Sequence, residues 1–278
     1  MRISVVTTTL NAMPYIVETT HSVLQSQHHD LEYILIDAGS SDGTMEHIMS
    51  LKDSRVKARV IPNIKPYDAI NVGFRESSGE VLAWLNGDDF YYPWTISCVG
   101  NLFTEFSNVE WIIGLPSLLN AEGHCTSVGR LAAYPRRYIQ NGWFNELACG
   151  CLQQESMFWR RSLFEAVGGL NPVYDQAADC ELWTRMAQHA ELVALSVPLA
   201  AFRNRGTNRS IIGRSAYLRD VENATRSLPK RGFIIRYLNR ASIWTQRAIR
   251  CLEWHRTSAI YFSKTESRWK LRSSIKRI

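Results

Sequence analysis

The 278-residue sequence predicts an α/β protein with a mostly parallel central sheet flanked by helices and a basic helical extension at its C-terminal end. Three observations predict this. Short apolar or β-branched runs alternate with segments of helical periodicity through the first half of the chain. Strands joined through helices run parallel, because the crossover returns the chain to the end it left. Polar clusters at 7–11, 37–42 and 86–89 each close such an apolar run. In open parallel sheets that end is where ligands bind. Finally, residues 214–278 hold 16 Lys+Arg against 4 Asp+Glu, net +12, whereas the first 213 residues carry net −6. We therefore divide the chain into an α/β domain over 1–213 and a basic extension over 214–278.

The elements follow in order. Residues 3–8 form a β-branched strand. Residues 15–27 place Ile16, Val23 and Leu24 at helical spacing among polar positions. The run EYILID at 32–37 is a compact strand that ends on Asp37, and 39–43 is a turn cluster before a helix at 44–51. A short strand at 59–62 and a helix at 67–76 lead to EVLAWL at 80–85, a buried strand. Further on, 111–119 reads as a strand and 161–167 as a helix stopped by Gly168-Gly169. A helix at 179–189 turns Leu182, Trp183 and Met186 inward, and 192–202 is a strand with a turn at Pro198.

Apolar residues make up 45% of the chain, enough for a large core. The six cysteines, at 98, 125, 149, 151, 180 and 251, show no zinc-site spacing and read as reduced thiols in a reducing cytoplasm. The opening MRISVVTTTL does not read as a leader, and no run of about 18 apolar residues predicts a membrane-spanning helix.

Three constellations carry chemistry. In Asn86-Gly87-Asp88-Asp89, two adjacent carboxylates follow a buried strand. Such a pair suits Mg²⁺ or Mn²⁺ held jointly with substrate phosphates, or else an ordinary helix cap. Asp37 can accept a hydrogen bond from a nucleotide base or ribose, with small residues behind it for close approach, while Asp42 reads as a helix cap. Asp179 begins a helix and could take a proton from a hydroxyl, or simply cap that helix.

The ordered set resembles the family 2 glycosyltransferases of the GT-A fold. It runs Val6-Thr7-Thr8-Thr9-Leu10-Asn11, then 37–44, Tyr67-Asp68-Ala69-Ile70-Asn71, 79–89, Gln153-Gln154-Glu155 through Arg161, and Asp179-Cys180-Glu181-Leu182-Trp183. It covers roughly residues 1–212. The resemblance implies an inverting, single-displacement hexosyl transfer from a nucleotide-diphosphate donor, UDP being the family's commonest nucleotide. It implies that Thr9 and Asp37 contact the nucleotide, with Asp68 and Asn71 near base or ribose. Asp88 and Asp89 would hold Mg²⁺ or Mn²⁺ against the diphosphate, and Asp179 would be the general base. The chain departs from the family pattern at Asn86, where Asp is common, and at Arg205, where His is common. Arginine does not ligate metals, but it can clamp a phosphate. The Gln-x-x-Arg-Trp motif of processive members is absent, which favours single addition.

The extension places Ile234, Leu238, Ala241, Ala248 and Leu252 at helical spacings over 232–262, with Trp244 and Trp254 among Arg236, Arg240, Arg247, Arg250 and Arg256. This pattern predicts either docking on an anionic inner membrane face, near a lipid-linked or other glycan acceptor, or packing on the α/β domain. No nucleic-acid motif accompanies the charge. Two other functions share the architecture. A nucleotidyltransferase would need a Gly-rich basic loop after the first strand, which 7–14 lacks. A non-catalytic sugar-nucleotide- or lipid-binding protein is compatible with Asn86 and Arg205.

Overall fold

Residues 3–9, all β-branched or small, form β1 (Ile3–Thr9), and its neighbour β2 (Leu31–Asp37) is buried along its whole length. Both strands bury residues on both faces, as parallel strands do when helices cover each side. The computed structural model describes residues 1–28, 30–145, 149–226, 228 and 257–273. Along the chain β3 is Val56–Val60, β4 Val81–Trp84, β5 Phe90–Tyr91, β6 Trp111–Ile113, β7 Ser117–Leu119 and β8 Cys125–Val128. They are followed by β9 (Met157–Arg160), β10 (Leu192–Leu195), β11 (Ala200–Arg203), β12 (Ser258–Ser263) and β13 (Arg268–Ser273). The helices are α1 (Tyr15–Leu24), α2 (Thr44–Ser50), α3 (Pro66–Glu76), α4 (Thr95–Glu105), α5 (Arg136–Gln140), α6 (Arg161–Ala166), α7 (Ala178–His189), α8 (Arg209–Ile212) and α9 (Arg214–Thr225).

The large sheet runs β13-β12-β10-β6-β9-β4-β1-β2-β3, and a small one runs β5-β11-β7-β8. In the large sheet β9 is antiparallel to both neighbours and β13 to β12, and the other pairings are parallel. Register does the positioning. Ile3 lies opposite Leu31 and Val81, so Thr9 falls opposite Asp37 and the segment after Trp84 emerges at the same edge. Alternate side chains feed two cores, one on each face. Val6, Ile34 and Trp84 face one side, and Val5, Tyr33, Leu35 and Ala83 the other.

On the first face the indoles of Trp84 and Trp183 stack 5.7 Å apart, and Trp159 meets each edge-on at 5.4 and 5.5 Å. Each such pair adds roughly 0.5–1.5 kcal/mol beyond its buried area. The cluster seats α7 on the sheet, which places the start of that helix over the strand ends.

Two expected strands each prove to be two. The segment 111–119 divides into β6 in the large sheet and β7 in the small one, and 192–202 divides likewise into β10 and β11. Pro116 and Pro198 stand at the breaks, where a residue without an N–H ends a ladder. The basic extension also departs from expectation. It begins as the helix α9, but 258–262, expected as part of an amphipathic helix, lie in β12. There Ala259 and Ile260 pair with Ala194 and Leu195, and both are buried, so the apolar side chains enter the sheet's core. The rest of that expected helix, with Trp244 and Trp254, lies outside the described residues. Among the described residues no helix is long and apolar enough to cross a membrane.

Candidate active site

The loops after β1 and β2 are stitched together at the sheet edge. Thr9 Oγ1 donates to Asp37 Oδ2 at 2.8 Å, Asn11 N to Ser40 Oγ at 2.8 Å, and Ser41 N to Asn11 Oδ1 at 2.9 Å. Asp42 accepts from the backbone N–H of Thr44, at the start of α2, and also from Met13 of the neighbouring loop. Its capping role is therefore shared with loop pairing. Asp37 Oδ1 accepts the N–H groups of Gly39 and Ser40 at 2.9 and 2.7 Å, and Ser40 Oγ reaches Oδ2 at 2.5 Å. Gly39 makes this turn at φ +96°, a conformation that suits glycine. Burial pushes the Asp37 carboxyl up, but the donors of Ser40, Thr9 and Gly39 together hold it below its ordinary value. All four acceptor positions of Asp37 are thus occupied. A base could reach it only by displacing a side-chain donor.

The turn after β4 is held from three sides. Asn86 Nδ2 donates to Asp89 Oδ2 at 3.0 Å, and Arg203 N to Asp89 Oδ1 at 3.0 Å. Asp89 is fully buried, and burial, with Asp88 and Glu155 nearby, raises its carboxyl well above the usual range. This explains the Asn at position 86. An amide donates to that buried group, where a carboxylate would add like charge. Arg203, 1% exposed, donates from Nε to the Asp88 carbonyl at 2.9 Å and pairs with Glu18. At Gly87 a Cβ would come within 2.9 Å of Thr9 Cγ2, so the two loops meet only because the residue is glycine.

A cleft of about 670 Å³ opens above these loops. Among the residues expected from sequence, Thr9, Asp88, Asp179 and Arg205 line it. Asp37, Asp68, Asn71 and Asp89 do not. Asn71 instead clasps the backbone of Leu170, donating to its carbonyl at 2.8 Å and accepting its N–H at 3.1 Å. That ties α3 to the turn ahead of α7. Sequence reasoning also passed over Glu155, Arg203, Tyr67, Arg209 and Tyr217. Glu155 and Tyr67 stand inside the motifs at 153–161 and 67–71, which hinted at the site.

Asp179 is half-buried at the start of α7. Burial pushes its carboxyl up to about 6, against the Cys180 N–H at 2.8 Å and the neighbouring Tyr67 hydroxyl. Glu155, in the 3₁₀ turn before β9, is 4% exposed, and its Oε1 has no hydrogen-bond partner among the described residues. Burial first, then the charges of Asp179 and Asp88, push its carboxyl up to about 8. Asp88 is also pushed up by burial, and Arg205 draws it back through an ion pair of 2.7 Å.

The carboxylate pair expected to hold Mg²⁺ or Mn²⁺ does not present two ligands. Both Asp89 oxygens are bonded internally and the residue faces away from the cleft. Asp88 Oδ2 is engaged by a guanidinium. No group of three or more His, Cys, Asp and Glu among the described residues could hold a metal ion. Asp88 is left as a single carboxylate with one oxygen already paired, so among the described residues nothing holds a divalent ion before substrate phosphates supply further ligands.

Comparison with known proteins bears on this geometry. Residues 4–106 match the family described as Glycosyl transferase family 2. An uncharacterized glycosyltransferase of Nostoc sp. is 25% identical over 225 residues, covering 78% of this chain and 69% of that protein. Another, of Haemophilus influenzae, is 25% identical over 257 residues, covering 87% and 76%. The structure of S. aureus TarS 1-349 in complex with UDP-GlcNAc superposes with a TM-score of 0.57 at 15% identity, over 88% of this chain and 78% of that one. The mannosyltransferase PcManGT from Pyrobaculum calidifontis, in complex with GDP-Man and Mn²⁺, gives 0.59 at 19% identity, over 90% and 74%. Against the longer TarS chain, the match spans 39% of its length. The fold expected from the sequence is the fold observed.

Proposed function

The chain carries a glycosyl transferase family 2 segment on a GT-A fold, and from that premise we propose that it moves a sugar, with inversion, from a nucleotide-diphosphate donor to an acceptor hydroxyl. One observation carries the reading. A carboxylate poised near 6, Asp179, shares a single cleft with the cations Arg205, Arg209 and Arg214 at the ends of the sheet strands. Asp179 takes the proton of the acceptor hydroxyl as its oxygen bonds to the anomeric carbon. The bond from that carbon to the diphosphate breaks, and the nucleoside diphosphate leaves with the electron pair. The cleft then needs only to align the two reactants and meet the charge that leaves.

A nucleotide-sugar donor is supported by the UDP-GlcNAc of TarS and the GDP-Man of the mannosyltransferase. We read UDP-sugar as the donor, with single addition to a surface or lipid-linked glycan. Metal dependence has support in the Mn²⁺ of the mannosyltransferase, and no group of three or more His, Cys, Asp and Glu among the described residues adds to it.

The experiment is turnover of a panel of UDP- and GDP-sugars by wild type and Asp179→Asn. The variant should lose roughly 10²–10⁴-fold in turnover while its nucleotide affinity stays the same. Wild-type turnover should fall as pH drops through about 6, because the base must be unprotonated. Unchanged turnover in Asp179→Asn would remove the base. Wild type that binds nucleotide and never turns over would establish instead the non-catalytic reading with which Asn86 and Arg205 are compatible.

A further inference from the structure

The cleft contains a cation of its own. Arg205 Nη2 lies 2.7 Å from Asp88 Oδ2, and its guanidinium rests over the Tyr15 ring, 5.2 Å from the centroid. The loop behind it is closed by Asn208, which accepts Arg205 N–H at 2.8 Å and donates to the Arg203 carbonyl at 2.8 Å. Arg205 is therefore held in place by a carboxylate, an aromatic face and its own backbone. Its Nε–H has no acceptor among the described residues. A second guanidinium, that of Arg203, stands 5.3 Å from the same ring centroid and bonds the Asp88 carbonyl. Asp88 thus sits between two fixed positive groups.

We propose that Arg205 is the resident cation of this site, holding the donor's diphosphate in place of a divalent metal ion, so that donor binding by this chain is metal-independent. The inference rests on the donor-site reading above and deepens it. A divalent ion on either oxygen of Asp88 would bind at roughly 2.0–2.1 Å, within a few ångströms of the guanidinium that already pairs with Oδ2. The two cations compete for one carboxylate, and the described residues offer no group of three or more His, Cys, Asp and Glu that could hold a metal ion. A guanidinium presents a planar set of donors matched to phosphate oxygens. Asp88 on one edge leaves the remaining N–H groups for the diphosphate. Arg209, paired with Asp175 at 2.6 Å, and Arg214 line the same cleft. Asp88 is then a positioning residue that orients Arg205, not a metal ligand.

Calorimetric titration tests this, with UDP as the probe, uridine as the control without phosphates, and wild type, Arg205→Met and Asp88→Asn as the proteins. Each is titrated in EDTA and in Mn²⁺, with melting curves to confirm folding. Wild type should bind UDP with an affinity that changes by less than about threefold between the two conditions, the guanidinium supplying the charge. Arg205→Met should lose roughly tenfold to a hundredfold in EDTA and recover part of it in Mn²⁺, because Asp88 is released. Uridine affinity should not respond to the substitution, and Asp88→Asn should still bind UDP in EDTA. Wild-type binding that appears only with Mn²⁺ and is lost in Asp88→Asn would overturn the inference while leaving the donor site standing. Absence of UDP binding to wild type in both conditions would overturn the inference and the UDP reading together.

Discussion

Glu155 and Asp179 line the same cleft and differ in how far they are buried. Asp179 is half-buried on the cleft, so its raised pKa of about 6 still leaves it ionised at neutral pH, as a base requires. Glu155 is almost fully buried, has an oxygen without a partner among the described residues and is raised to about 8, so it is mainly protonated there. Its carboxyl has a higher pKa in the folded chain than the ordinary 4.5. The folded state therefore binds the proton more tightly. This stabilising contribution is complete below about 4.5 and is lost as pH rises through about 8. Glu155→Gln should consequently melt higher than wild type at pH 8.5, with the difference shrinking toward pH 5. Melting curves that stay parallel across that range would show that Glu155 does not titrate in the folded chain.

At the scale of elements, the site depends on how separate segments are pinned to one another. Arg203, at the end of β11, bonds the Asp88 carbonyl, the Ala121 carbonyl and Glu18 of α1, and its backbone N–H holds Asp89. One side chain thus links the small sheet, the first helix and the turn after β4. Arg203→Leu leaves a buried carbonyl without its donor, and should cost roughly 1–3 kcal/mol of stability. Urea unfolding of the variant measures this directly. A cost near zero would mean that water replaces the guanidinium. Asn71 works the same way between α3 and the turn before α7. Its partner lies 99 residues away, so local sequence does not reveal it. That the segments holding Thr9 and Asp37 would meet at one sheet edge was legible, because polar clusters close two strands of a parallel sheet there. That Asp37 would be filled by Ser40, Gly39 and Thr9 was not legible, since it depends on the turn's geometry.

For the whole molecule, the charge asymmetry and the path of the C-terminal segment matter together. Residues 214–278 carry net +12, and an anionic surface would attract each nearby cation by roughly 1 kcal/mol. Removing everything after 213 is not a clean test of this, because β12 pairs with β10 inside the large sheet and buries Ala259 and Ile260. Charge reversal keeps the strands. Arg240→Glu combined with Arg247→Glu should reduce sedimentation with anionic vesicles at low salt and leave neutral vesicles unaffected. Equal sedimentation of variant and wild type would assign the basic residues to packing or solvent.

The sequence by itself determined the alternation of buried strands and helices and the gathering of 7–11, 37–42 and 86–89 at one sheet edge. It also determined a helix over 179–189, within one residue of the observed start of α7. These follow from local hydrophobic period and from parallel connection, which are properties of contiguous residues. Only the tertiary structure decided which polar groups face the cleft and which are consumed by the protein. It turned Asp89 inward to Asn86 and Arg203, set Arg205 on Asp88, and enclosed Glu155. It also drew 258–263 into the sheet as β12, through pairing with a strand more than sixty residues earlier. The physical reason is the same in each case. A carboxylate's role depends on the donors, charges and water around it, and these arrive from distant segments only when the chain folds.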